Sequence, residues 1–366
     1  MTVSATFTIL MLVSSLLCAE SHVSLRLVEC QYREFMSSAP QSETRRLGMT
    51  VPLPGPLHGH REWLSELADV GYSDIWSAES DGADGFTPLA LAAAWEPRLR
   101  LGTAIIPAFT RAPACMAQSV ASLADAAPGR FCIGIGSSSN VIVERWNGVP
   151  FEQPYRRVRD MVRFLNEALD GEKVSSTYDS FTVEGFRLGV RPEVRPKIFI
   201  AALREQMLAL AGRESDGAII NWLGSSDVSK VAEIVHSAAG GESREIVARI
   251  FVCPSERTDV VREAARFAIA AYMNVPVYAQ FQQWLGRGPA LQGMWDAWAS
   301  GDRKAALREI SDEVVDALIV HGSPAECRQQ IDRYFDGGVT TAALAMLPLD
   351  RELDQRAAMR ALAGSD

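Results

Sequence analysis

The chain has no run of basic residues. Its 36 Lys and Arg stand against 45 Asp and Glu, for a formal net charge of −9 over 366 residues. A surface for a phosphate backbone needs clustered cations, so no nucleic-acid partner is expected. The six cysteines are scattered without a C-x-x-C pair, which argues against a disulfide framework. Cys132 and Cys253 lie in apolar runs and read as small buried hydrophobes. Five histidines are present, and only His58 and His60 stand close together. No carboxylate accompanies them at ligand spacing, so no metal site is expected. No histidine closely follows a candidate strand end, which disfavours a serine–histidine–acid triad. Gly134-Ile135-Gly136 has Ser139 where a dinucleotide fingerprint needs its third glycine, which disfavours a Rossmann site.

No apolar run is long enough to span a bilayer. The longest near the start, Phe7–Leu17, falls short of the roughly 20 residues a membrane helix needs. It resembles the apolar core of an export signal but lacks a basic residue before Arg26. Residues 1–45 read in three ways: an export signal, a poorly ordered extension, or sequence upstream of the true start codon. Pattern quality favours the last, because Met49 lies in a fresh, well-patterned strand. Residues 46–350 read as the folded domain and 351–366 as a tail. A cytoplasmic protein without stable membrane association is expected, with a homodimer left open.

What the chain does contain is soluble-protein composition, 48% hydrophobic and 22% charged, and a repeated alternation. Short apolar runs at Leu47–Val51, Asp74–Ser77, Leu101–Pro107, Arg130–Gly136, Lys197–Ala201, Gly217–Asn221, Ile246–Cys253 and Thr341–Leu347 read as strands. Amphipathic stretches such as Arg61–Val70, Gln206–Gly212 and Ser323–Phe335 lie between them. Eight such units suit a (β/α)8 TIM barrel with insertions after strands four and seven. A doubly wound open sheet is the alternative, since sequence does not show closure. The first insertion holds a helix near Pro154–Leu169 and a hairpin over Lys173–Leu188. The second, Thr258–Ile319, concentrates Tyr272, Tyr278, Phe281, Trp284, Trp295 and Trp298. These aromatics read either as helix packing or as a lid over a pocket.

In a barrel, chemistry sits beyond the carboxyl ends of the strands. There the chain offers small and hydroxylated residues, free backbone amides and few ionisable groups. That set suits a phosphate-bearing ring cofactor better than hydrolysis. Helix starts after strands five and six can take phosphate, with Arg204 adding charge. Glu79, as a lone carboxylate at a strand end, is the first acid/base candidate and Glu144 the second.

Several runs resemble the luciferase-like flavin and deazaflavin oxidoreductases. They are G-Y-S-D-I-W-S-A-E-S (71–80), L-G-T-A-I-I-P-A-F-T-R-A-P (101–113), G-R-F-C-I-G-I-G-S-S-S (129–139), the stretch 196–223, and V-H-G-S-P-A-E-C (320–327). V-E-R-W-N-G (143–148) is most similar to an actinobacterial, mycobacterial-type branch assigned to coenzyme F420. The resemblance implies a barrel, hydride transfer with a small organic substrate, and F420 as cofactor, with FMN-dependent monooxygenation as the alternative. It implies a ring near Ala78, Glu79, Ile106, Pro107, Ser137 and Ser138, and a phosphate near Ala202, Leu203 and Arg204. Asn221, ending strand six, joins the candidate cofactor-binding set. A non-prolyl cis peptide is implied around Ile106–Ala108. The family's sugar-phosphate dehydrogenases carry histidine where Glu79 stands and glutamate where Ser137 stands, so their reaction is not implied. Leu203-Arg204 also replaces a common Gly-Pro. A barrel that binds a ligand without catalysis is the alternative of another class.

Overall fold

Each apolar run between residues 46 and 346 pairs in parallel with the next, and the last returns to the first. The computed structural model describes residues 45–364; the apolar segment at Phe7–Leu17 lies outside the described residues. Strands one to eight are Arg46–Val51, Asp74–Ser77, Arg100–Thr103, Phe131–Gly136, Lys197–Ala201, Gly217–Asn221, Glu245–Cys253 and Thr341–Met346. Strand eight closes onto strand one, with Arg46 beside Thr341 and Met49 beside Leu344. That closing pair makes a (β/α)8 barrel and excludes the open sheet. No helix among the described residues is long and apolar enough to cross a membrane.

The strands are apolar runs because both faces are buried, one by the covering helices and one by the barrel interior. The interior is layered. At the amino end, Asp74 lies fully buried among Arg46, Arg100 and Ser73, and Arg100 also reaches Glu245 and Thr341 at 2.8 and 2.9 Å. Above this sits an apolar layer of Trp76, Cys132, Phe199, Ile219, Val247 and Ala343. Trp76 meets Phe199 edge-on, with ring centroids 6.1 Å apart. Its indole needs Gly102 beside it, since a Cβ there would stand 2.3 Å from the ring. Burial pushes the Cys132 thiol up to about 12, so it is an inert filler, as its apolar surroundings suggest.

The helices follow their apolar spacing. His60–Asp69 buries Leu64 and Leu67. Pro154–Leu169 buries Val158, Met161, Val162, Leu165 and Leu169 on one side. Ser323 and Glu326 form a reciprocal capping box at the start of Pro324–Asp336.

The structure departs from the sequence reading in two places. Leu101–Pro107 is not one strand: it ends at Thr103, a cis peptide joins Ala104 to Ile105, and Ile106–Pro107 pairs separately with strand four. The cis bond therefore lies just before the position the resemblance implies. Within the expected tail at 351–366, the described residues 351–364 are more than a tail. Helix Gln355–Leu362 buries Ala358, Met359 and Leu362, and the Met359 carbonyl accepts a 2.9 Å bond from the Tyr72 hydroxyl.

After strand four come a π-helical turn, Val141–Trp146, and then helix Pro154–Leu169 with the hairpin Val174–Thr177 and Thr182–Phe186. After strand seven come helices Thr258–Met273, Pro276–Trp284, Gly288–Ala299, Arg303–Arg308 and Asp312–Leu318. Trp295 and Trp298 pack within this insertion, while Trp222 and Phe251 join the same apolar cluster from the barrel. The aromatics thus serve helix packing and also seat the insertion on the ends of strands six and seven.

Candidate active site

The carboxyl ends of strands two to four converge through backbone bonds. The Glu79 amide donates to Ile105 O at 3.2 Å, and the Ala108 amide to Gly136 O at 2.9 Å. Ala78, Ser137 and Ser138 line this edge, all partly exposed, with Ser138 at φ 62°. Ile106 and Pro107 are buried instead. The Ile106 methyl lies under Gly85, where an added Cβ would come within 2.1 Å of it. Because the chain turns at Ala104–Ile105, those two residues are the partly exposed pair next to the interior layer.

Glu79 is not a lone carboxylate. Arg111 Nη1 donates to both of its oxygens, at 2.6 and 2.7 Å, and the Gly85 amide donates at 3.0 Å. Thr110 Oγ1 is a longer neighbour at 3.4 Å. The Arg111 guanidinium lies 4.9 Å from the Phe86 ring centroid. Glu79 therefore ties the loop after strand two to the loop after strand three. Glu144 sits on the exposed side of the turn after strand four, and its side chain makes no hydrogen bond or ion pair among the described residues. The structure does not bring it to the Glu79 cluster.

After strand five, Ala202 is buried and its amide bonds to Ile219 O at 2.9 Å, while Leu203 is partly exposed and Arg204 exposed. Helix Glu205–Glu214 starts at Arg204 without a side-chain cap, so its first amides remain available to an anion. The start after strand six differs from expectation. Asp227 accepts the Gly224 amide at 2.8 Å and pairs with Arg287 at 2.7 Å. Its carboxylate already fills the place a phosphate would take.

Strands six and seven add Arg249, which the sequence reading passed over, to Asn221, which it named. Asn221 stands beside Arg249 in register. Trp222 follows with φ 54° and packs on Phe251 and Tyr272, with centroids 4.2 and 4.6 Å apart. Burial pushes the Tyr278 phenol up, opposed by its bond to the Asn221 side chain. Gln282 Nε2 donates to Trp222 O at 2.6 Å and Gln282 Oε1 accepts from Arg287 Nε at 2.7 Å, which ties the insertion to the loop after strand six. Strict alternation along V-A-R-I-F, residues 247–251, puts Arg249 on the same face as Val247 and Phe251. That signal was available in the sequence.

Of the buried side-chain polar atoms without a partner among the described residues, four belong to this end of the barrel or its interior: Thr50 Oγ1, Trp76 Nε1, Trp222 Nε1 and Arg249 Nε. Buried polar groups are normally satisfied, and the oxygens of a ring cofactor and of a substrate beside it would offer acceptors to such donors. The small residues at Ala78, Ala104, Ser137 and Ala201 leave its plane room to approach. The residues present fit such a group.

The sequence profile of the luciferase-like monooxygenases matches residues 35–341. The chain is 26% identical to 5,10-methylenetetrahydromethanopterin reductase of Archaeoglobus fulgidus over 290 residues, which is 76% of this chain and 87% of that protein. It is 25% identical over 327 residues to a Mycobacterium tuberculosis protein provisionally named a coenzyme F420-dependent oxidoreductase, covering 81% of this chain and 93% of the other. Among solved structures, the coenzyme F420-dependent tetrahydromethanopterin reductase of Methanopyrus kandleri superposes with a TM-score of 0.73 at 18% identity. That superposition covers 88% of this chain and 98% of the other, and it speaks to the fold alone.

Proposed function

Because this chain belongs to the luciferase-like monooxygenase family, we propose that it is an oxidoreductase that binds coenzyme F420 at the carboxyl end of its barrel and moves a hydride between that deazaflavin and a small organic substrate. The observation that carries the reading is the strand-end layer of small residues and unpartnered donors, next to an uncapped helix start at Arg204. The relative named for coenzyme F420 supports the choice of cofactor.

When bound, the deazaflavin supplies the carbon that gives or takes the hydride. The chain's own residues bind and orient. Ala78, Ser137 and Ser138 border the ring, and the contacts first assigned to Ile106 and Pro107 pass to Ala104 and Ile105, since the former pair is buried. The amides after Leu203 and the Arg204 side chain hold the phosphate. Asn221 and Tyr278 face the substrate side; with its phenol pushed up, Tyr278 keeps its proton and acts as a donor. Glu79 is a positioning residue that fixes two loops through Arg111. Glu144, exposed on its turn, acts at most at the rim.

Titration of the purified protein with F420 and with FMN, each oxidised and reduced, tests this reading. F420 is expected to bind and FMN to bind at least tenfold more weakly. Tight FMN binding without F420 binding would make the protein a flavin monooxygenase, and binding of neither would favour the non-catalytic barrel.

A further inference from the structure

Arg249 is a partly buried charge that nothing among the described residues neutralises. It projects inward from strand seven, beside Asn221 on strand six and Ala343 on strand eight. This places it one step above the interior apolar layer that holds Val247. Among the described residues, none of its nitrogens makes a hydrogen bond or ion pair, and its Nε is buried without a partner. The titratable groups facing it are the phenols of Tyr272 and Tyr278, which are neutral near pH 7. Burial pulls the guanidinium's pKa down, and the phenols oppose this; an arginine still keeps its proton.

Around this cation stands an aromatic rank. The Phe251 ring lies 5.3 Å from the guanidinium, Trp222 packs on Phe251 at 4.2 Å, and Tyr272 packs on Trp222 at 4.6 Å. The Trp222 Nε1 is a second buried donor without a partner. Tyr272 is 42% exposed, so the rank opens to solvent at that ring. In a ring of eight strands, strand seven stands across from strand three.

We infer that Arg249, with Trp222, Phe251 and Tyr272, forms a substrate subsite for a carboxylate carried on a planar apolar body. One uncompensated cation matches one negative charge, and the guanidinium fork matches the two oxygens of a carboxylate. Arg204 lies at a different helix start, so a dianionic phosphate would lack a second cation here. The aromatic faces suit a flat body. The inference rests on the proposed function for the ring's position: that reading lays the ring against strands two to four, with its phosphate after strand five, and leaves strand seven for the substrate.

The test is calorimetric titration of the full chain with naphthoate, naphthamide and naphthyl phosphate, with and without F420. Naphthoate should bind at least about tenfold tighter than its neutral amide, a difference of about 1.4 kcal/mol. Arg249→Met should abolish that preference with the F420 Kd kept within twofold, and Arg249→Lys should keep part of it. Equal binding of naphthoate and naphthamide to the wild-type protein would overturn the subsite. Tighter binding of naphthyl phosphate would overturn its assignment to a carboxylate. Loss of F420 binding in Arg249→Met would assign the arginine to the cofactor instead. If Arg249→Met does not fold, the wild-type comparison decides alone. Absence of F420 binding to the wild-type protein would defeat the proposed function, whereas the comparison of naphthoate with naphthamide on the cofactor-free protein would still judge the subsite.

Discussion

Glu79 and Arg111 are separated by a helix and a strand in sequence, yet their side chains share two short bonds. The parallel pairing of strands two and three makes the loops that follow them neighbours, and no spacing rule connects the two residues. The carboxylate could be found in the sequence, but its partner could not, and the partner changes its meaning from acid/base to loop clamp. Glu79→Ala leaves Arg111 without its carboxylate at a site where both side chains are largely buried. A loss of about 1–3 kcal/mol is expected, read from urea denaturation. An unchanged midpoint would show that solvent screens the pair. Arg249 is the opposite case. Its placement was legible from period-two alternation alone, but a strand-internal arginine in an apolar run reads as an exception until the register is known.

At the scale of elements, the strand-end loops are held by partners from distant segments. Gln282 joins the Trp222 carbonyl to Arg287, and Arg287 joins Asp227. This chain of bonds holds Trp222 in a backbone region that non-glycine residues seldom adopt. Gln282→Leu should leave the Trp222 carbonyl and Arg287 underbonded and cost about 1–3 kcal/mol. Amide exchange should rise over residues 222–227 and 276–287 and stay unchanged in strands one to four. Uniform exchange across the barrel would show that the insertion is not tied on through this residue. Strands two, five and six match their sequence ranges, each a short run with an apolar centre. Strand three does not, because L-G-T-A-I-I-P is continuous in composition and the break after Thr103 is purely conformational.

For the whole molecule, the barrel was legible because eight apolar runs separated by amphipathic stretches have few other ways to bury both faces. The charged layer at the amino end was not, since its members come from five strands. Burial pushes the Glu245 carboxyl up, but Arg100 and Lys197 outweigh it, so the group sits below its ordinary value of 4.5. The folded protein thus binds fewer protons there than the unfolded chain. The resulting stability is present above pH 4.5 and is lost as the pH falls below it. Arg100→Met removes one partner of buried Asp74 and of Glu245. It should cost about 3–5 kcal/mol at pH 7 and flatten the decline between neutral and acid pH. A mutant with wild-type stability and an unchanged acid slope would contradict this. The amino-end layer supports the barrel, and the carboxyl-end layer is left free for ligands.

The claim that joins these scales is that the cofactor lies across the ends of strands two to five. Hydrogen exchange measured by mass spectrometry with and without bound F420 tests it most directly. Protection is predicted at residues 78–79, 104–106, 137–139 and 203–206, with the outer helices of the insertion unchanged. Binding of F420 accompanied by protection elsewhere, and none at these four segments, would contradict the account.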